Sequence, residues 1–168
     1  MGEFTHFNIN NNSLIYYSRI GKLDVVAKLL ESPEININAQ NRYDSTALIY
    51  ASRHGYSTIV QKLLANKADC NIQDEDKSTA LIWASRNRRI DIIHLLTKYN
   101  AQYYLQDKHD MTALKWAYSI KCSNCIIKND QIIKILKDYE SKRIRESILS
   151  VAPYLYTDVI ELIIKFIL

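Results

Sequence analysis

A short motif returns at a fixed interval along this chain, and it restricts the fold more than any other feature of the sequence. Thr-Ala-Leu-Ile-Tyr-Ala-Ser-Arg at 46–53 recurs as Thr-Ala-Leu-Ile-Trp-Ala-Ser-Arg at 79–86 and, less closely, at 112–119, so the motif threonines are 33 residues apart. A degenerate copy, Leu-Ile-Tyr-Tyr-Ser-Arg, lies at 14–19. A repeat of this length predicts a solenoid, because each unit is too small to bury its apolar face alone.

Each copy has the pattern of two short helices. The threonine is suited to cap a helix, and Leu and Ala then recur at helical spacing. A break follows at Gly21, Gly55 or Arg88, and a second apolar stretch such as Ile59-Val60 and Leu63-Leu64 comes next. The chain has only 3 glycines, and tight β-hairpins depend on glycine, so an all-β fold is disfavoured.

The motif resembles that of the ankyrin repeats. Thr-Ala-Leu-Ile-x-Ala is similar to their Thr-Pro-Leu-His-x-Ala, and the Ala-Asp-Cys-Asn at 68–71 is similar to their Ala-Asp-Val-Asn. The resemblance implies an all-α ankyrin-repeat solenoid of about four helix-turn-helix units with short hairpin loops, plus a C-terminal helical segment. Lys67 and Asn100 stand where the family has glycine after the second helix, and we expect left-handed backbone at both.

The repeat also predicts the boundaries along the chain. We expect residues 1–12 to be disordered or left over from an expression tag, and residues 140–168 to form a separate C-terminal helical segment. The repeats at 13–139 divide into 13–42, 43–75, 76–108 and 109–139, with an insertion at 122–129 that we expect to bulge as a loop.

Aligning the copies produces two columns on the first helix of each repeat. An aromatic column is followed three residues later by an arginine column, which places both on one helix face. In the fold that this sequence resembles, the first helices line a concave groove, and Tyr, Trp and Arg dominate protein-binding surfaces. The predicted partner-binding groove therefore consists of Tyr16, Tyr50, Trp83, Trp116, Arg19, Arg53 and Arg86. A second interpretation stays open, in which the rings pack between repeats and the arginines are solvated.

Other functions find little support in the residues. The four histidines form no constellation with an acid or a nucleophile, so we predict no catalytic residues, no cofactor and no enzyme. Cys122-x-x-Cys125 has metal or redox spacing but no second pair, and we predict no metal site. Acidic hairpin tips disfavour nucleic acid as a partner, although Arg53, Arg86, Arg88 and Arg89 keep it as a third hypothesis.

The cell compartment is predicted from two absences in the sequence. No apolar run is long enough to span a membrane, and three cysteines are too few for a disulfide framework. We therefore expect a cytoplasmic protein with no membrane partner, with the nucleus as the alternative.

The last helix is apolar on nearly all sides, which indicates that something covers it. Its Leu-x-x-Asp-Val-Ile-x-Leu-Ile-Ile-x-Phe-Ile resembles the first helix of an F-box, and this order of segments is similar to ankyrin proteins of large DNA viruses, poxviruses in particular. That resemblance implies docking to the Skp-type adaptor of a cullin–RING ubiquitin ligase and, if the protein is viral, a place in the host cell cytoplasm. The implied docking residues are Leu155, Val159, Leu162, Ile163, Phe166 and Ile167.

The sequence thus predicts a non-enzymatic protein–protein interaction adaptor that binds one protein in the groove and a second at the C-terminal helix. The alternative is a plain ankyrin scaffold whose C-terminal helices only cap the stack or form a homodimer contact.

Overall fold

The computed structural model of the chain describes residues 10–119, 126–153 and 157–167. Within these ranges it contains nine α-helices and no strand, as the repeat pattern predicts. The helices are α1 (Asn11–Arg19), α2 (Leu23–Leu29), α3 (Ala47–His54), α4 (Ser57–Ala65), α5 (Ala80–Arg86), α6 (Ile90–Lys98), α7 (Ala113–Ser119), α8 (Ile126–Val151) and α9 (Thr157–Ile167).

The helices pair into units that stack in chain order. In each unit the first helix packs against its own second helix and against the first helix of the next unit, and α9 packs against α8. Apolar residues of both helices fill the interior, and each fully buried Leu or Ile stabilises the fold by about 1.5–3 kcal/mol. The largest of these buried side chains are Leu48, Ile59 and Leu63 of one unit, Leu81, Ile92 and Leu96 of the next, and Ile132 and Leu136 of α8.

The motif threonines begin the first helices as predicted. The Oγ1 atoms of Thr46 and Thr79 each accept a hydrogen bond at 3.2 Å from the backbone N–H three residues later. In α1 the same role belongs to Asn10, whose Oδ1 accepts from the Ser13 N–H at 2.8 Å. Because of this cap, α1 begins at Asn11, within the segment 1–12 that we expected to be disordered.

Left-handed backbone occurs where the sequence substitutes for the glycines of the repeat. Lys67 has φ 66° and Asn100 has φ 61°, which confirms the expectation for both positions. Arg88 has φ 55° at the turn between α5 and α6, where the preceding units have Gly21 and Gly55. A side chain in this conformation costs about 1–2 kcal/mol relative to glycine, so each of these residues is strained.

The fourth unit departs from the expected boundaries. Helix α8 runs for 26 residues from Ile126 to Val151, so the boundary at 139/140 falls inside one continuous helix. It begins within the insertion at 122–129, where we expected a loop; residues 120–125 lie outside the described residues. The reason is local: residues 126–151 contain neither Gly nor Pro, and the helix ends just before Pro153.

Candidate functional site

The first helices form the inner side of the stack. Consecutive first helices, α1 to α3, α3 to α5 and α5 to α7, make more extensive contacts than consecutive second helices do. Units that approach more closely on one side produce a stack that curves toward that side. The first helices and the turns that follow them therefore line the concave inner face, where the resemblance places the predicted groove.

The aromatic column is mostly packed between repeats. Tyr50 and Trp83 are only 9% and 6% exposed, and Trp116 is partly buried. Tyr16, at the first unit, is 54% exposed, and its ring lies edge-on to that of Tyr17. The two central rings, Tyr50 and Trp83, therefore leave little surface for a partner.

Hairpin residues hold the buried rings in place. The indole Nε1–H of Trp83 donates to Asp74 Oδ2 at 2.7 Å, and that of Trp116 donates to Asp107 Oδ2 at 2.7 Å. In the preceding unit the Asn41 Nδ2 donates to the Tyr50 hydroxyl at 3.3 Å. An indole N–H can only donate and therefore needs an acceptor, here a carboxylate oxygen, whereas a phenol oxygen can accept from an amide.

The same hairpin residues also close their own loops. Asp74 Oδ1 accepts from the N–H groups of Asp76 and Ser78 at 3.0 and 2.9 Å. Asp107 makes the equivalent bonds, and although burial opposes its ionisation, the hydrogen bonds from Trp116 and two backbone N–H groups outweigh this and lower its pKa. Sequence reasoning missed this column, although Asn41, Asp74 and Asp107 are spaced 33 residues apart like the motif itself.

The arginine column connects each repeat to the next. The Arg19 guanidinium lies 5.8 Å from the ring centroid of Tyr50, and that of Arg53 lies 4.2 Å from Trp83. Arg86 lies 4.7 Å from the Trp116 centroid and 5.1 Å from Trp83. All three arginines are exposed, so each lies against a ring and still has part of its surface in solvent.

The electrostatic potential of the inner face is positive near the turn that ends α3. The pKa of His54 is lowered, first by partial burial and then by the positive charges of Arg53, Arg19 and Arg89. A second cation is therefore disfavoured at this point, and an anion would be attracted to it.

The C-terminal helix has one packed and one open face. Ile160 and Ile164 are buried, and Glu161 forms an ion pair with Arg145 of α8. The predicted docking residues fall mainly on the open side: Val159, Leu162, Phe166 and Ile167 are exposed, Ile163 is partly buried, and Leu155 lies outside the described residues. The structure thus brings Val159, Leu162 and Phe166 together on one face, since they are three and four residues apart.

In the described part of the chain, the side chains that could bind a metal or act as a nucleophile do not form a cluster. Within the described part of the chain no three His, Cys, Asp or Glu side chains come together as metal ligands, and Cys122 and Cys125 fall outside it. Burial, followed by the charge of Asp69, raises the pKa of the Cys70 thiol, which disfavours the reactive thiolate. None of the helices in the described ranges is both long and apolar enough to cross a membrane.

A comparison with known families identifies the repeat. The family model of ankyrin repeats (many copies) matches residues 32–84. Residues 32–84 carry ankyrin repeats. The match begins just after α2 and runs through α3 and α4 into α5, and the same helix pair recurs on both sides of it, so the described residues form an all-α helical-repeat solenoid with ankyrin repeats at 32–84. Ankyrin repeats are in general non-enzymatic modules that bind protein partners.

Proposed function

We propose that this chain is a non-enzymatic adaptor that binds one protein on the inner face of its ankyrin repeats and a second protein on the open face of α9. The inner face offers the exposed Arg19, Arg53 and Arg86 together with Tyr16. The open face of α9, defined by Val159, Leu162 and Phe166, lies on a different element, so one partner need not exclude the other.

The exposed apolar side chains of α9 carry the proposal. Phe166 is 92% and Leu162 is 70% exposed, although both are large and apolar. Together with Val159 they form the i, i+3, i+7 pattern by which an amphipathic helix anchors in an apolar groove of a partner. Single exposed apolar residues are common on proteins, but a contiguous face of them marks an interaction surface.

For the second partner we propose the Skp-type adaptor of a cullin–RING ubiquitin ligase. The support is the similarity of the α9 sequence to the first helix of an F-box, with its apolar anchors on the open face. The proposed site of action is the cytoplasm, where a free thiol such as that of Cys70 remains reduced. The inner face would then select the protein that is brought to the ligase.

The test compares two matched double variants in titration calorimetry with a purified Skp-type adaptor. Leu162→Asp with Phe166→Asp removes two anchors from the open face. Leu149→Asp with Val151→Asp places the same charges on exposed apolar residues of α8. We expect the first pair to weaken binding more than a hundredfold, since each buried anchor contributes about 2 kcal/mol or more, and the second pair to bind like the unchanged chain.

Other results distinguish the alternatives. If the adaptor does not bind and the unchanged chain doubles its mass in light scattering, while Leu162→Asp with Phe166→Asp is monomeric, α9 is a homodimer contact. If the adaptor does not bind and the chain is monomeric with slowly exchanging amides throughout α9, the helix is only a cap. Either result overturns the ligase proposal.

A further inference from the structure

Charge is strongly segregated between the inner face and the rest of the chain. The first helices with their caps and following turns comprise residues 11–22, 45–56, 78–89 and 111–119, and these contain no Asp or Glu. All 18 acidic residues of the protein lie elsewhere. The same segments carry seven basic residues, namely Arg19, Lys22, Arg53, Arg86, Arg88, Arg89 and Lys115.

Three of these arginines are held in position without a carboxylate partner. Among the described residues, no salt bridge involves Arg19, Arg53 or Arg86. Each guanidinium lies instead over an aromatic ring of the following unit, which restricts its orientation and leaves N–H groups at its edge free to donate. A stacked guanidinium loses less entropy when it binds, and its fork of donors matches a carboxylate.

We propose that the inner face binds an acidic protein segment in extended conformation, whose carboxylates accept paired hydrogen bonds from Arg19, Arg53 and Arg86. This inference rests on the proposed role of the inner face as a binding surface and names the chemistry of its partner. Stacked helices lie about 8–10 Å apart, and an extended chain advances about 3.3 Å per residue. One arginine per repeat therefore matches one carboxylate at every third residue.

Nucleic acid fits this face less well than an acidic peptide. The rings that could stack on bases, Tyr50 and Trp83, are buried and already covered by arginine. Asp44, Glu75 and Asp110 are exposed at the hairpin tips beside the groove. A phosphate backbone carries charge at every nucleotide and is repelled there, whereas a peptide can place neutral residues opposite the tips.

The test uses fluorescence anisotropy with labelled nonapeptides. The probe repeats Gly-Glu-Ser three times, which spaces its glutamates by three residues; one comparison peptide has the three glutamates adjacent, and another has glutamine instead. We expect the spaced peptide to bind best and the glutamine peptide not to bind. Arg86→Gln should weaken binding of the spaced peptide about tenfold, because it removes a charge-assisted contact.

A matched triple variant controls for net charge. Arg19→Gln with Arg53→Gln and Arg86→Gln should abolish binding, whereas Lys62→Gln with Lys98→Gln and Lys134→Gln, on exposed positions of the second helices, should leave it unchanged. The triple Arg→Lys variant keeps the charge but loses the planar fork, so we expect it to bind weakly. Far-ultraviolet circular dichroism verifies that each variant is folded.

Several outcomes would overturn this inference. Equal binding by both Gln triple variants would show that the peptide responds only to net charge. Equal binding of the peptides with spaced and with adjacent glutamates would contradict the match of one carboxylate to one arginine in each repeat. Tighter binding of a nine-nucleotide single-stranded DNA that also requires the three arginines would assign the face to nucleic acid. If a protein partner of the repeats binds the Arg→Gln triple variant undiminished, this inference fails while the adaptor function stands. If the chain binds neither the peptide nor any protein, both fail.

Discussion

The hydrogen bond between Asp74 and the Trp83 indole can be tested by giving this repeat the asparagine that the preceding repeat has at Asn41. Asp74→Asn places an amide beside an indole that can only donate. If its Oδ1 keeps the backbone N–H groups of Asp76 and Ser78, its Nδ2 faces the Trp83 N–H, and two donors meet. If the amide flips, the indole is satisfied but the two backbone N–H groups lose their acceptor.

The magnitude follows from these contacts. Losing a charge-assisted hydrogen bond costs about 1.5–3 kcal/mol, and a buried donor left without a partner costs about 1–3 kcal/mol, so we expect Asp74→Asn to lower the free energy of unfolding by about 3 kcal/mol. In the Trp83→Tyr background the amide can donate to a phenol oxygen, as Asn41 does to Tyr50. In that background Asp74→Asn should lower the free energy of unfolding by about 1 kcal/mol, because a neutral amide oxygen replaces the carboxylate as the acceptor for the backbone N–H groups.

The assay is urea denaturation followed by far-ultraviolet circular dichroism on the unchanged chain, the two single variants and the double variant. With a dependence on urea of about 2 kcal/mol per molar, a loss of 3 kcal/mol moves the midpoint by about 1.5 M. Asp138→Asn removes one carboxylate from an exposed position on α8 and should change stability by less than about 0.5 kcal/mol. The reasoning is refuted if Asp74→Asn costs the same, within about 0.5 kcal/mol, in both backgrounds.

Two further predictions concern strain and acidity. Arg88→Gly should raise the free energy of unfolding by about 1 kcal/mol in the same assay, because φ is 55° and the buried Nη1 has no hydrogen-bond partner; a lower midpoint would contradict this. The depressed pKa of Asp107 stabilises the fold fully above about pH 4, the usual aspartate value, and this contribution is lost as the pH falls through the lowered pKa. The Asp107→Asn variant should therefore have a lower free energy of unfolding at pH 7 than the unchanged chain, and should lose less of it below pH 4. Parallel pH profiles of the two proteins would show that Asp107 does not make this contribution.

Local rules account for what the sequence predicted well. The helix pairs follow from the 33-residue period, and the caps follow from a hydroxyl before an apolar run. Left-handed backbone at Lys67 and Asn100 could be predicted because the alignment of the repeats places both at a position where the chain must turn. Each of these features depends on residues that are close together in the chain.

Most of the features that were missed depend on tertiary contacts. Whether Trp83 faces solvent or the next repeat is decided by Asp74 and Arg53, which lie in the hairpin and in the preceding unit. Helix α9 is apolar on nearly all sides, so its sequence alone could not show that Ile160 and Ile164 would pack while Leu162 and Phe166 stayed exposed. The length of α8 was missed because a change of repeat pattern was interpreted as a helix boundary.

The contacts between arginines and rings also determine how the solenoid deforms. Each contact joins consecutive repeats on the concave side, where straightening the stack moves the first helices apart and draws a guanidinium away from its ring. Tightening the curve leaves these contacts intact. At about 0.5–1 kcal/mol for each contact, straightening across all three is opposed by about 1.5–3 kcal/mol. The elasticity of this stack is therefore asymmetric, and a slender ligand is accommodated without deformation whereas a broad one must first spread the repeats.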